Sequence, residues 1–224
     1  MYYNYKGTHS LVLMAVADAN YRISLLDIGA PGRHSDGEIF NASEIGKRLQ
    51  NGMLSIPPPR PMENGQALPF VLVGDEAFPL MQYMLRPYPR SGRLNRRKNI
   101  FNYRLSRARR VVENVFGILS ARMRIFRKPL IASISTATRV IKATTCLHNF
   151  IISEELKLPH TQRRYMTLNA HERQLRSTGL EDAGTFNRNR PTKSSTQIRD
   201  DFATFFETTS AVPWQWEKVL QNNF

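Results

Sequence analysis

Hydrophobic and polar positions change period several times along the chain, and each change marks an element. An apolar run occupies His9 to Ala17, Asp18-Ala19-Asn20 supplies turn chemistry, and Tyr21-Arg22-Ile23-Ser24-Leu25 alternates polar with apolar, which together predict a β-hairpin. Gly29-Ala30-Pro31-Gly32 interrupts this pattern. Ser35 can then cap a helix that opens with Asp36 and Glu38, acids suited to the positive end of a helix dipole. Ile39, Phe40, Ile45 and Leu49 give that helix a roughly helical apolar spacing. Ser55 to Pro69, with Pro57-Pro58-Pro59 and Pro61, predicts a stiff, extended excursion over the surface. Phe70-Val71-Leu72-Val73, bounded by Gly74, predicts a short buried strand with Asp75 just past its end.

Arg86 to Arg97 reads as a basic loop containing Pro87 and Pro89. From about Asn102 to Phe126 a long helix is predicted, its stripe formed by Leu105, Val112, Phe116, Leu119 and Met123, with Glu113 beside it. A second helix, roughly Ile134 to Glu155, carries Val140, Ile141, Leu147 and Ile151. Its Cys146 and His148 are expected to pack or hydrogen-bond in the core, because no second thiol or suitably spaced histidine accompanies them to make a metal site. Past Glu155 the chain turns polar, and Asn187 to Ser195 has loop chemistry. Ile198, Phe202, Phe205 and Phe206 then predict one short amphipathic helix, followed by Trp214 and Trp216. Its apolar face is expected to fold back on the domain, with a partner-binding anchor as the alternative. The expected division is a domain over 1–155 and a polar linker with an amphipathic tail over 156–224.

Of the 224 residues, 41% are hydrophobic and 22% charged, which permits a packed core and excludes wholesale disorder. The longest apolar run, Leu11 to Ala17, is far shorter than the ~18–20 residues of a membrane-spanning helix, so no bilayer crossing is expected. Met1-Tyr2-Tyr3-Asn4-Tyr5-Lys6 does not read as a secretory signal, and one cysteine allows no internal disulfide, which fits a reducing compartment. The net charge of +14 is unevenly placed: residues 81–145 hold 16 Lys/Arg against one acid, whereas the segments on either side are nearly balanced. Such an arginine-rich block attracts polyanions, with nucleic acid the leading partner. The plainer alternatives are a solvated basic face or a nuclear-import patch around Arg96-Arg97-Lys98; an anionic membrane surface is a weaker third. A nuclear location is expected, with the cytoplasm as a further compartment.

The single acid of that block, Glu113, stands among Arg104, Arg107, Arg109, Arg110, Arg122 and Arg124. Together with Asp75 at a strand end, it suggests carboxylates that meet only in three dimensions. Paired divalent ions held by carboxylates serve phosphodiester chemistry by stabilising charge on the attacking and leaving oxygens. The alternatives are an intrahelical ion pair of Glu113 with Arg109 or Arg110, and a capping or turn role for Asp75.

Five ordered stretches carry a family resemblance: Tyr2-Tyr3-Asn4-Tyr5-Lys6-Gly7 with His9-Ser10, Gly29-Ala30-Pro31-Gly32-Arg33-His34-Ser35-Asp36, Val73-Gly74-Asp75-Glu76-Ala77-Phe78-Pro79-Leu80, the run from Phe101 to Gly117, and Cys146-Leu147-His148-Asn149-Phe150. They resemble the DDE nuclease domain of PIF/Harbinger-type transposases and their domesticated relatives. The resemblance implies an α/β, ribonuclease-H-like mixed sheet flanked by helices, and a DNA endonuclease or strand transferase that uses Mg²⁺ or Mn²⁺. By position, Asp75 matches the second catalytic aspartate, Glu113 the terminal glutamate, and Asp36 an additional acidic metal ligand. The first aspartate belongs to a strand preceding the Tyr-Tyr-Asn-Tyr-Lys motif, where this chain begins. The expectation is therefore a domain lacking its first strand, with an incomplete triad and impaired activity. The alternative is a domesticated, inactive nucleic-acid-binding or scaffold protein. DNA contacts are expected from Arg96, Arg97, Lys98, Arg104, Arg107, Arg109 and Arg110, and the family often works beside a Myb-like partner.

Overall fold

The computed structural model describes residues 10–31, 36–63, 65–90, 94–168 and 191–220, and the side chains at 30–31 and 36–38 fall outside that description. The readings for residues 2–9, for Ser35 as a helix cap and for most of the polar stretch before residue 191 also lie outside the described residues. The chain divides into two compact units, Met1–His34 with Arg110–Gly184, and Ser35–Arg109 with Thr185–Phe224.

In the first unit, β1 (Leu11–Ala17) and β2 (Ile23–Pro31) form the expected antiparallel hairpin. Asp18 shapes its turn: Oδ1 accepts from the backbone N–H of Asn20 at 2.8 Å and of Arg22 at 3.0 Å. Tyr21 sits at φ 65°, an uncommon conformation for a residue with a Cβ, so something must hold it there. The second strand continues past Leu25, and Gly29, at φ 135°, is the extra residue of a bulge between Ile28 and Ala30, in a conformation that other residues rarely adopt.

Helix α3 (Arg96–Arg122) runs from the second unit into the first, and α4 (Ile134–Leu156) follows a short 3₁₀ turn at Arg124–Arg127. Ile23, Val115, Leu119, Phe126 and Ile141 form the first unit's core, with Leu13, Ala15 and Ile28 of the hairpin against them. Polar side chains complete the packing. Asn149 accepts from Ile23 N–H and donates to Ile23 C=O, both at 2.8 Å, so one amide pairs both backbone groups of a strand residue. Next to it, the wholly buried His148 lies 2.8 Å from Tyr21 O and 2.9 Å from the Tyr165 hydroxyl. A carbonyl only accepts, so Nε2 carries the proton and Nδ1 accepts from Tyr165. Burial holds the His148 pKa below its ordinary value, which matches this neutral tautomer. The motif around His148 thus holds Tyr21 in its strained turn. Cys146, in contrast, is exposed: it stands two residues from His148, on the other side of the helix.

Residues after α4 are tied back from two sides. The Glu155 carboxylate accepts from the N–H groups of Arg164, Tyr165 and Met166, while Arg122 donates to the carbonyls of Arg164 at 2.7 Å, Tyr165 at 3.2 Å and Thr167 at 2.9 Å. Burial alone raises the Glu155 pKa; the three N–H bonds and nearby Arg122 outweigh it and leave the pKa lowered.

In the second unit, the expected first helix is two: α1 (Asp36–Ala42) and α2 (Glu44–Gln50). Ser43 separates them, capping α2 by accepting from Gly46 N–H at 2.9 Å. The close bend requires glycine, since a Cβ on Gly46 would fall 1.9 Å from Phe40 O. The proline-rich excursion is largely exposed and forms a minimal pair, β3 (Arg60–Pro61) with β4 (Ala67–Leu68). β5 (Leu72–Val73) pairs in parallel with β6 (Met84–Leu85) over two residues. This corrects the expected buried strand: Phe70 and Val73 remain 45% and 38% exposed, because no further described strand covers them. The strands form three separate pairs among the described residues, rather than one mixed sheet, within an α/β chain.

Helix α3 starts before the expected Asn102 because Asn95 Oδ1 accepts from Lys98 N–H at 3.0 Å, a cap the apolar stripe does not reveal. Its buried Phe101 and Leu105 pack with Leu80, Leu85, Tyr88 and Ala203. Asn102 repeats the amide device, accepting from Tyr88 N–H at 2.8 Å and donating to Tyr88 C=O at 3.0 Å. The expected single C-terminal helix is also two, α5 (Lys193–Glu207) and α6 (Pro213–Leu220). Ile198, Phe202 and Phe206 of α5 pack on this core, and Val219 of α6 joins Ile100 and Tyr103.

Asn149→Ala leaves two backbone groups of Ile23 without partners and should cost about 2–3 kcal/mol in chemical denaturation; a loss near zero would show that water replaces the amide. Because the folded imidazole of His148 titrates below its unfolded value, the unfolded chain takes up its proton first, and stability declines as pH falls below about 6.5. The thermal midpoint should therefore drop between about pH 7.5 and 5.5, and His148→Gln should flatten that slope.

Candidate active site

Asp75 follows β5 and Gly74 at the start of a tight turn. Its Oδ1 accepts from Ala77 N–H at 2.8 Å, the turn role that a strand-end aspartate is expected to fill. From inside, the buried Arg86 supports the same turn by donating to Phe78 O at 3.1 Å and Glu76 O at 3.4 Å. The sequence reading missed Arg86; a lone arginine straight after a paired apolar dipeptide was its only signal. The other Asp75 oxygen lies 3.6 Å from the Arg109 guanidinium, both side chains being only about a quarter to a third exposed. Asp75 is thus held at one oxygen and faces a cation with the other, and it remains a hard carboxylate donor of the class that Mg²⁺ and Mn²⁺ prefer.

Arg109 belongs to the second unit and Glu113 to the first, four residues further along α3. Glu113 is exposed. Asp36 occupies the first turn of α1, and its side chain lies outside the described residues. The structure therefore brings Asp75 and Arg109 together. Among the described residues, no group of three or more His, Cys, Asp or Glu side chains gathers where it could hold a metal ion.

The basic residues of α3 do more than face solvent. Arg96 pairs with Glu207 at 3.4 Å and lies 4.6 Å from the Trp216 ring centre. Arg97 donates to Thr204 Oγ1 at 3.2 Å, and Lys98 stands 5.2 Å over the Tyr88 ring. Arg104 donates to Ser210 O and Gln215 Oε1, both at 3.3 Å, beneath Phe206 and Trp214. Desolvation, then repulsion from Arg107, lowers the Arg104 pKa. Arg107 lies 4.4 Å from the Trp214 ring centre and contacts the Tyr103 hydroxyl. Arg110 is exposed. Much of this cationic surface is thus also the bed on which α5 and α6 rest, through cation–π contacts worth about 0.5–2 kcal/mol each. Trp214 and Trp216 were its sequence signal, although their distance along the chain from the arginines hid it.

Tyr88 is a second polar centre in the same unit. Its hydroxyl donates to Asp200, and Arg199 stacks 4.0 Å over its ring. Burial, then the Asp200 contact, raises the Tyr88 pKa well above the ordinary phenol value. These contacts pin α5 to the segment before α3.

Comparison with known proteins gives this geometry its context. A family model described as "DDE superfamily endonuclease" matches residues 1–149. "Protein ALP1-like" from Arabidopsis thaliana is 28% identical over 147 residues, which cover 65% of this chain and 36% of that protein. The chain thus spans only about a third of the length of the curated relative it matches. No solved structure matches it. Asp75, Arg109 and Glu113 all fall inside the matched region, and the chain belongs to the DDE superfamily endonucleases.

Proposed function

We propose that this chain is the DNA-cutting and strand-transfer part of a transposase-derived protein, with a ribonuclease-H-like domain in which Asp36, Asp75 and Glu113 hold Mg²⁺ or Mn²⁺. The observation that carries this reading is the Asp75 carboxylate, fixed by Ala77 N–H and facing Arg109 on the helix that also bears Glu113. Bound divalent ions supply charge stabilisation at the attacking and leaving oxygens of a phosphodiester. The chain's own groups do the rest. Ala77 and Arg86 fix the Asp75 turn, Arg109 restrains the carboxylate, and the exposed Arg110 meets the nucleic-acid backbone as a bidentate phosphate donor. A nuclear location and a Myb-like companion that supplies site choice belong to the same reading.

A second reading, a catalytically silent nucleic-acid-binding or scaffold protein, draws support from Arg96, Arg104 and Arg107. These residues anchor α5 and α6 through side-chain contacts and give the basic surface a structural task.

Incubation with supercoiled plasmid and Mn²⁺ separates the two readings. Under the first, the wild type nicks DNA, and Asp75→Asn and Glu113→Gln each slow it about 100-fold, the scale of losing one group that stabilises transition-state charge. No nicking by the wild type leaves the second reading. Both readings expect salt-dependent binding, measured by fluorescence anisotropy: Arg110→Ala should reduce the slope of log K against log salt by about 0.9. Binding indifferent to salt contradicts both.

A further inference from the structure

Among the described residues, the fold covers one face of helix α4. Ile141, Thr145, His148, Ile152 and Glu155 are buried. Opposite them Arg139, Ala143, Cys146, Leu147, Phe150 and Glu154 are exposed, with Leu147 48% and Phe150 63% accessible. At about 100° per residue, these six lie within about 50° of one direction and form a continuous stripe along most of the helix. Leu147 and Phe150 lie next to each other on this stripe as an exposed apolar pair between charged ends.

The order of residues along the stripe identifies the occupant. From a point between Cys146 and Leu147, Arg139 stands as far toward one end as Glu154 does toward the other. Ala143 and Phe150 are likewise equidistant from that point, and so are Cys146 and Leu147. We propose that two copies of this chain pair their α4 helices antiparallel, about a two-fold axis passing between Cys146 and Leu147. In that arrangement Arg139 of each copy meets Glu154 of the other at both ends of the seam. Each Phe150 ring covers the other copy's small Ala143, and Leu147 packs across the axis beside Cys146. Such a surface is self-complementary, as an isologous interface must be. A parallel pairing sets Arg139 against Arg139 and Phe150 against Phe150, and a shift of one turn removes the charge match. Glu154 already contacts Lys157 at 2.7 Å, but both side chains are largely exposed and such pairs are weak, so the carboxylate can accept from Arg139 of the second copy as well. In the antiparallel register Lys157 falls opposite Thr136, so no like charges confront each other.

Sedimentation velocity on the full chain tests this. The mass should move from 25.8 kDa toward twice that value as concentration rises. Phe150→Lys should weaken association by at least about tenfold, and Arg139→Glu by a similar amount. Combining Arg139→Glu with Glu154→Arg should restore it, an outcome that a merely destabilised helix does not give. Because Cys146 is the only cysteine, a short bis-maleimide should cross-link the wild type into a dimer and fail with Phe150→Lys. Circular dichroism of the variants, whose altered side chains are all exposed, should match the wild type. A chain that stays monomeric at every concentration overturns the proposal. So does a dimer that ignores both Phe150→Lys and the charge swap, which would assign the stripe to a different protein.

Discussion

Every backbone N–H and C=O removed from water needs a partner, and this chain meets that demand with unusually little sheet. Its strands pair only two by two among the described residues, and two of the three pairs are two residues long. Side chains make up the shortfall. Asn149 takes the place of a neighbouring strand at Ile23, Asn102 does the same at Tyr88, and Glu155 and Arg122 serve opposite sides of the segment around Tyr165. Each device joins a helix to a non-helical segment, so it also fixes where that segment sits. The apolar clusters supply the bulk of the driving force, but they do not specify register; the amides do, because a shift of one residue leaves their donors and acceptors unmatched.

The same economy governs charge. In a block with one acid to sixteen bases, repulsion opposes compaction, and the fold answers by laying aromatic faces and carbonyl oxygens over the guanidinium groups. Arg96, Arg104 and Arg107 therefore have a task in stability before any polyanion arrives, and Arg122 has one in holding the segment after α4. Asp75 shows the same doubling: one oxygen maintains a turn while the other faces Arg109.

What the sequence discloses follows the range of the interactions involved. The hairpin and the long helices α3 and α4 are legible because their signals, turn chemistry at Asp18 and apolar stripes over many residues, are local and repeated. The break at Ser43 is not, since it depends on Gly46 approaching Phe40 O, an event without a periodicity. Val73 reads as buried because β-branched runs usually are, yet burial needs flanking strands that the run itself does not encode. At the candidate site, the turn role of Asp75 is readable from its place after a strand. Its neighbour Arg109 is not, for the two are joined only by the way α3 returns past the turn. The arginines announce affinity for anions, while their tryptophan partners lie too far along the chain for composition to connect them. The placement of Asp75 and Glu113 allows a metal site or an ion pair and a turn equally, and it is the resemblance that implies the metal role.

The pentapeptide Cys146-Leu147-His148-Asn149-Phe150 combines two obligations within little more than one helical turn. His148 and Asn149 look inward and lock the hairpin, whereas Cys146, Leu147 and Phe150 look outward. On the pairing proposed above, these five positions answer to two separate constraints, the hairpin lock and the seam. Homologues that keep the inner pair while changing the outer three are expected to share an architecture yet differ in the company they keep.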